Sequence, residues 1–172
     1  MKVIKLSFIV IFLFILSTSY GQKSILSFGL YGSGFLEDTK SASKIAFGIS
    51  GSYGRLYIDV SSNFARGKGE YLNFHSSSTR EASKINIGVS NFGYTFYYKN
   101  IRIIPTIGFG WARLIYEDPI LFDSYYEGES NVKYNLGLVL AFPISQYIDI
   151  TIGGGTYEIF KLGFSINLRQ IQ

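Results

Sequence analysis

Phe160-Lys161-Leu162-Gly163-Phe164-Ser165-Ile166-Asn167-Leu168 sets a large apolar residue at every second position and Lys, Gly, Ser or Asn between them. Successive side chains of a β-strand point to opposite faces, so this stretch is a strand with one apolar and one small polar face. Seven further segments carry the same period. Ile25–Phe35 sets Leu26, Phe28 and Leu30 against Ser27, Gly29 and Tyr31. Lys44–Ser50 sets Ile45, Phe47 and Ile49 against Ala46, Gly48 and Ser50, and Arg55–Phe64 sets Leu56, Ile58 and Val60 against Tyr57, Asp59 and Ser61. Lys84–Tyr98 starts with Ile85, Ile87 and Val89 and resumes with Phe92, Tyr94 and Phe96, so a bulge is expected at Ser90-Asn91. Ile101–Tyr116 carries Ile103, Ile107, Phe109 and Trp111 opposite Arg102, Thr106, Gly108 and Gly110, with Pro105 marking a bulge or a weak ladder position. Val132–Phe142 and Tyr147–Gly153 complete the set, giving eight strands, an even number suited to a closed antiparallel barrel.

The connections alternate in length. Glu37–Ser43, Ala65–Ser83 and Glu117–Asn131 are long and polar, and Gly154–Glu158 is a modest fourth. Gly51–Gly54, Lys99-Asn100 and Pro143–Gln146 are short. Short turns on one rim and longer loops on the other are the plan of an outer-membrane barrel, with the short rim and both termini in the periplasm.

Ahead of the strands, Met1-Lys2-Val3-Ile4-Lys5 is a positive n-region and Leu6–Leu16 an apolar run broken by Ser7. Ser19-Tyr20-Gly21 supplies small residues at the two positions a signal peptidase reads, so residues 1–21 read as a cleaved secretory signal and 22–172 as one barrel domain. The apolar run is too short for a membrane anchor, which needs roughly 20 residues. Cysteine is absent, so neither a lipoprotein signal nor disulfides contribute. Without Lys2 and Lys5, 14 basic residues face 12 acidic ones, and no long basic block suggests nucleic acid. Charged residues are 16% of the chain, below the ~25% typical of soluble domains.

A soluble lipocalin-like barrel also alternates, with its apolar face inward around a ligand. Here the polar face is mostly Gly, Ser, Thr, Asn and Ala, which solubilises an exterior poorly and suits a narrow lumen filled by side chains. The apolar face is therefore expected to meet lipid. Phe35, Phe64, Tyr116 and Tyr157 on the loop side, and Tyr97, Tyr98, Phe142 and Tyr147 on the turn side, are expected to form aromatic girdles.

On this signal, this strand plan and the glycine-aromatic strands Ile107-Gly108-Phe109-Gly110-Trp111 and Leu162-Gly163-Phe164, the whole mature chain resembles the small outer-membrane β-barrels of Gram-negative bacteria. These are the OmpX-like or OmpA-transmembrane-domain-like group. The resemblance implies an all-β, eight-stranded, up-and-down transmembrane barrel. It also implies outer-membrane lipid, lipopolysaccharide and the barrel-assembly machinery as partners. The terminal Leu168-Arg169-Gln170-Ile171-Gln172 departs from the closing aromatic of many members, which leaves Phe164, Ile166 and Leu168 to carry an assembly signal. The likeness to OmpA stops at its barrel part.

Asp59, Arg102, Lys133, Asp149 and Lys161 fall on the lumen face, where Arg102 is expected to pair with one or both carboxylates, since an isolated buried charge is costly. Such a network is either a gated ion path or a structural plug, and eight strands leave room for little beyond side chains. Glu117, Asp118, Asp123, Glu127 and Glu129 form an acidic loop with no basic residue. Together with Phe122, Tyr125 and Tyr126 it is a candidate surface for divalent cations or an external partner, although a solvated loop explains it too. His75 and Ser77 with Glu81 or Glu70 could imitate a Ser-His-carboxylate set of a lipid A-modifying enzyme, but a Ser-rich loop yields His-x-Ser by chance. No P-loop, Cys nucleophile or His-rich metal motif is present, so the expectation is a non-enzymatic barrel without metal or cofactor, with a structural or surface-interaction role.

Overall fold

The computed structural model describes residues 24–36, 44–72, 84–117 and 124–171. The signal segment, His75, Ser77, Glu81, Asp118, Phe122 and Asp123 lie outside the described residues. The described chain is an eight-stranded antiparallel barrel of up-and-down topology, with no helix. We number its strands β1 (Ser24–Phe35), β2 (Ile45–Tyr53), β3 (Leu56–Ser62), β4 (Lys84–Tyr94, continued as Phe96–Tyr98), β5 (Ile101–Glu117), β6 (Ser124–Pro143), β7 (Ile148–Gly155) and β8 (Glu158–Ile171). Each strand pairs with its sequence neighbour, and β8 returns to β1 from Ser24↔Ile171 to Phe35↔Glu158, which closes the sheet. Closure leaves no unpaired edge in the hydrocarbon, where each unsatisfied backbone group is expensive.

The faces follow the sequence period, with the apolar face outward. Phe47, Ile107, Leu136 and Leu162 are 56–70% exposed, while Ser50, Thr106, Asn135 and Lys161 on the alternate positions are buried in the lumen. An exterior of large apolar side chains around a polar interior is stable in lipid and not in water.

Several glycines of the lumen face make room for side chains that cross it. A Cβ on Gly163 would lie 2.4 Å from the Cβ of Tyr31, and one on Gly48 would lie 2.3 Å from the Tyr31 ring. A Cβ on Gly108 would meet the Ser90 carbonyl at 2.1 Å. The β2–β3 hairpin turns at Gly54-Arg55, later than the Gly51–Gly54 expected, because Gly51–Tyr53 continue β2; Gly54 has a φ of 63° that a side chain would strain.

Four expectations are corrected. First, β4 has no bulge at Ser90-Asn91: its register against β5 runs unbroken from Lys84↔Ile115 to Gly93↔Thr106. The apparent slip is a change of surroundings. Ile85, Ile87 and Val89 face the lumen, and Asn86, Gly88 and Ser90 face outward, where the Trp111 ring lies over Gly88 and its Nε1 donates to Asn86 Oδ1 at 3.1 Å. Second, Phe35, Tyr157 and Tyr97 are no girdle residues. Phe35 and Tyr157 are buried inside the barrel, with ring centroids 5.3 Å apart, and Tyr97, in register with Arg102, turns a buried hydroxyl to the lumen. Third, the stretch 117–131 is not all loop. β6 starts at Ser124 and rises in a ladder against β5 up to Glu117↔Tyr125, with a register shift between Arg113 and Ile115. Fourth, Glu158 belongs to β8 rather than to the hairpin loop.

Pro105 is the weak ladder position of the two alternatives. It lies in register with Leu138, but the β4–β5 pairing is interrupted at Tyr94-Thr95, beside the missing N–H. On the other side of β4 the ladder to β3 is kept, the Thr95 amide donating to the Arg55 carbonyl at 2.7 Å.

The packing sets a contrast between two glycines. Gly163→Val should abolish the compact, SDS-resistant band in unheated gels, because Tyr31 and the Leu30 carbonyl occupy the space. Gly32→Val should keep it, because a Cβ there meets nothing nearer than the Ala46 carbonyl at 4.0 Å.

Candidate functional site

The lumen is built in layers. On the loop side Phe35, Ala46, Ile87, Val89 and Tyr157 form an apolar cluster. Tyr157 enters it because its amide donates to Asn135 Oδ1 at 3.0 Å and its hydroxyl to the Trp111 carbonyl at 3.1 Å. The ring lies where a side chain on Gly110 would be, at 2.1 Å from the position of a Cβ.

Beneath that cluster is a charge network. Lys161 Nζ lies 2.7 Å from Asp59 Oδ2 and 3.1 Å from Glu158 Oε2, and all three side chains are at most 2% exposed. Tyr31 Oη and Asn91 Nδ2 each donate to Asp59 Oδ1 at 2.9 Å. Asn91 also reaches Glu158 Oε2 at 3.2 Å and accepts from Asn135 Nδ2 at 2.9 Å. The ammonium sits 4.4 Å from the centroid of Tyr31, so cation–π attraction adds to the ion pairs.

A thin apolar layer of Tyr57, Ile104 and Val139 separates this network from a second one nearer the turns. There Arg102 Nη2 is paired with Asp149 and donates to Ser165 Oγ at 2.9 Å, while Nη1 reaches Ser27 Oγ at 3.3 Å. Asn167 Nδ2 donates to the other Asp149 oxygen at 3.1 Å. Desolvation of so many charges is tolerable because every carboxylate oxygen of the two networks has a partner, Arg102 Nε and Asn167 Oδ1 being the atoms left without one.

Of the lumen candidates, Asp59, Arg102, Asp149 and Lys161 are all buried, but in two networks rather than one. Arg102 pairs with Asp149 alone, and Asp59 pairs with Lys161. Lys133 lies nearer the loop side, its Nζ 5.5 Å from the Tyr157 ring. Sequence reasoning missed Glu158, because simple alternation from Lys161 sends it outward. A register shift between Gly34↔Phe160 and Phe35↔Glu158 reverses that, and leaves Ile159 and Phe160 both exposed.

Two of the acidic surface candidates are paired with neighbouring strands. Glu117 pairs with Lys84, and Glu127 with Arg113 at 2.7 Å. The Tyr125 ring covers Gly67 and meets Tyr71 edge-on at 5.8 Å, while Glu70-Tyr71 pairs parallel with Ser124-Tyr125. The segment after β3 therefore crosses the outer face of β4–β6. Tyr126 is half-buried, and Glu70 is exposed. Among the described residues no group of three or more His, Cys, Asp or Glu side chains is placed to hold a metal ion.

Removing one partner of a buried ion pair strands the other, at about 3–5 kcal/mol. Lys161→Met, which strands Asp59 and Glu158, should lower stability by about that amount in urea unfolding followed through Trp111. Adding Asp59→Asn and Glu158→Gln should recover at least half of it.

Comparisons with known proteins agree with this architecture. No family model matches the chain, and no curated protein matches it. Among solved structures, the chain is similar to Ail, the attachment invasion locus protein of Yersinia pestis, with 17% identity and a TM-score of 0.50, over 85% of this chain and 95% of that one. It is also similar to the N-terminal β-barrel domain of Pseudomonas aeruginosa OprF, with 14% identity and a TM-score of 0.49, over 86% of this chain and 99% of that domain. At these identities the likeness concerns the fold, which is that of the small OmpA/OmpX-like barrels.

Proposed function

We propose that this chain is a non-enzymatic barrel of the bacterial outer membrane that acts through its loop-side surface, with the lumen serving as a structural plug. One observation carries the reading. A tilted membrane strand needs about 9–11 residues, yet β5 has 17 and β6 has 20. Above Trp111 on β5 and Val132 on β6 no large apolar side chain is exposed, Ile115 being buried, so residues 113–117 and 124–131 stand clear of the lipid as a short two-sided wall. Glu129, Ser130 and Asn131 on that wall are exposed. A protein that needed only to span lipid would not need it.

Glu117, Tyr125 and Tyr126 on this wall, together with the sequence candidates Asp118 and Asp123, would meet an external partner. Outer-membrane lipid and lipopolysaccharide surround the barrel, and the assembly machinery inserts it with both termini in the periplasm. The name of the Yersinia pestis neighbour speaks of attachment for that protein, which agrees with a surface role here without carrying it. The plug reading rests on the paired charges and the apolar layers on either side of Lys161.

Cells expressing the chain should attach to a solid or cellular surface more than cells without it, and Glu127→Lys with Glu129→Lys should remove the gain at equal surface expression. Unchanged attachment in either comparison refutes the surface role. In planar bilayers the purified barrel should show no steady ohmic channel, and a stable unitary conductance would refute the plug. Cysteine placed at Asn131 should react with an impermeant maleimide on intact cells, and cysteine at Gln146 only after permeabilisation. The reverse pattern would invert the orientation.

A further inference from the structure

Gly51 is a glycine that the barrel does not require. It lies on the outward face of β2, in line with Ile45, Phe47, Ile49 and Tyr53. A Cβ there would meet nothing nearer than the Ser27 carbonyl at 3.8 Å, and its φ is not in the left-handed region. Glycine weakens a strand interior, so a position that tolerates any side chain and carries none calls for another reason. In register it stands between Phe28 and Ile58, with Phe92 beyond. The missing side chain opens a groove of about 470 Å³ in the lipid-facing surface, walled by Leu26, Tyr53, Leu56, Ile58 and Phe92 and almost purely apolar.

The groove runs to the turn-side rim, where Arg55 closes the β2–β3 hairpin. Its Nη1 is 3.3 Å from the hydroxyl of Tyr94, which is in register with Leu56 at the groove wall. Among the described residues Arg55 has no carboxylate partner. The neighbouring turn adds Lys99, 5.7 Å over the Tyr98 ring. The described turns of this rim, 54–55, 99–100 and 144–147, hold these two cations and no acidic residue.

We propose that this is a binding site for one anionic phospholipid of the turn-side leaflet. One acyl chain lies over Gly51 and the phosphate meets Arg55. Apolar lining, a lipid environment and a guanidinium that no described carboxylate neutralises, at the turn-side rim, identify the occupant by chemistry. The site rests on the barrel spanning a membrane, as the proposed function does, but not on the surface role of the wall.

Native mass spectrometry of the purified barrel with equal amounts of phosphatidylglycerol and phosphatidylethanolamine tests it. The wild type should retain one lipid and favour phosphatidylglycerol. Gly51→Leu, which fills the groove, should reduce that adduct by about tenfold while the heat-modifiable band persists, and Gly51→Ala should give an intermediate loss. Arg55→Gln should keep a lipid but lose the preference for phosphatidylglycerol. An unchanged adduct in Gly51→Leu, or a wild type with no retained lipid or no preference, overturns the site. A chain that never forms the heat-modifiable band fails as a barrel, which separates the two claims.

Discussion

Closure of β1 on β8 is the constraint on which the rest of the structure depends. In hydrocarbon each unpaired backbone N–H or C=O costs several kcal/mol, so a sheet survives there only when its first and last strands meet. The pairing from Ser24↔Ile171 to Phe35↔Glu158 achieves this. It also fixes what enters the lumen, because a slip of one residue would exchange the two faces of a strand. Lys161 on the closing strand would then face lipid, and Leu162 would face Asp59. The buried pair between Lys161 and Asp59 thus penalises wrong closure more strongly than apolar packing, which tolerates many arrangements.

The lumen follows from that closure. Eight strands leave space for side chains and little else, and the chain divides it into apolar and charged layers. Each charged layer is stitched by amides and hydroxyls: Asn91, Asn135 and Tyr31 around Lys161, and Ser27, Ser165 and Asn167 around Arg102. Asn135 links this interior to the loop-side rim, since its carbonyl oxygen holds the amides of both Tyr157 and Glu158. The hairpin between β7 and β8 is thereby drawn into the mouth rather than left in solvent.

Much of this was legible from the period of two. The outward set on β1, β2, β3, β7 and β8 reads directly from Phe28, Phe47, Ile58, Ile150 and Leu162, because one face meets lipid along the length of each strand. The reading breaks in two places. On β4 the apolar Ile85, Ile87 and Val89 look lipid-facing but line the lumen, because their outer neighbours Asn86, Gly88 and Ser90 are small or polar and the Trp111 ring of the next strand covers Gly88. The length of β6 was hidden for another reason: polar residues of Ser124–Asn131 read as loop when the water-exposed part of a hairpin is polar on both faces. Alternation placed Asp59, Arg102, Asp149 and Lys161 inside but could not say which pairs with which, since that depends on positions around the barrel and not along one strand. Glu158 was illegible because a register shift leaves no local mark in the residues around it.

The central claim is that the apolar face of each strand meets lipid while its small polar face lines a packed lumen. Spin labels placed singly from position 160 to 168 in the barrel reconstituted into bilayers test it most directly. Oxygen, which concentrates in hydrocarbon, should reach labels at 160, 162, 164, 166 and 168 and be excluded from those at 161, 163, 165 and 167. The opposite phase, or labels at the even positions shielded from oxygen and lipid alike, would turn the apolar face inward and contradict the account.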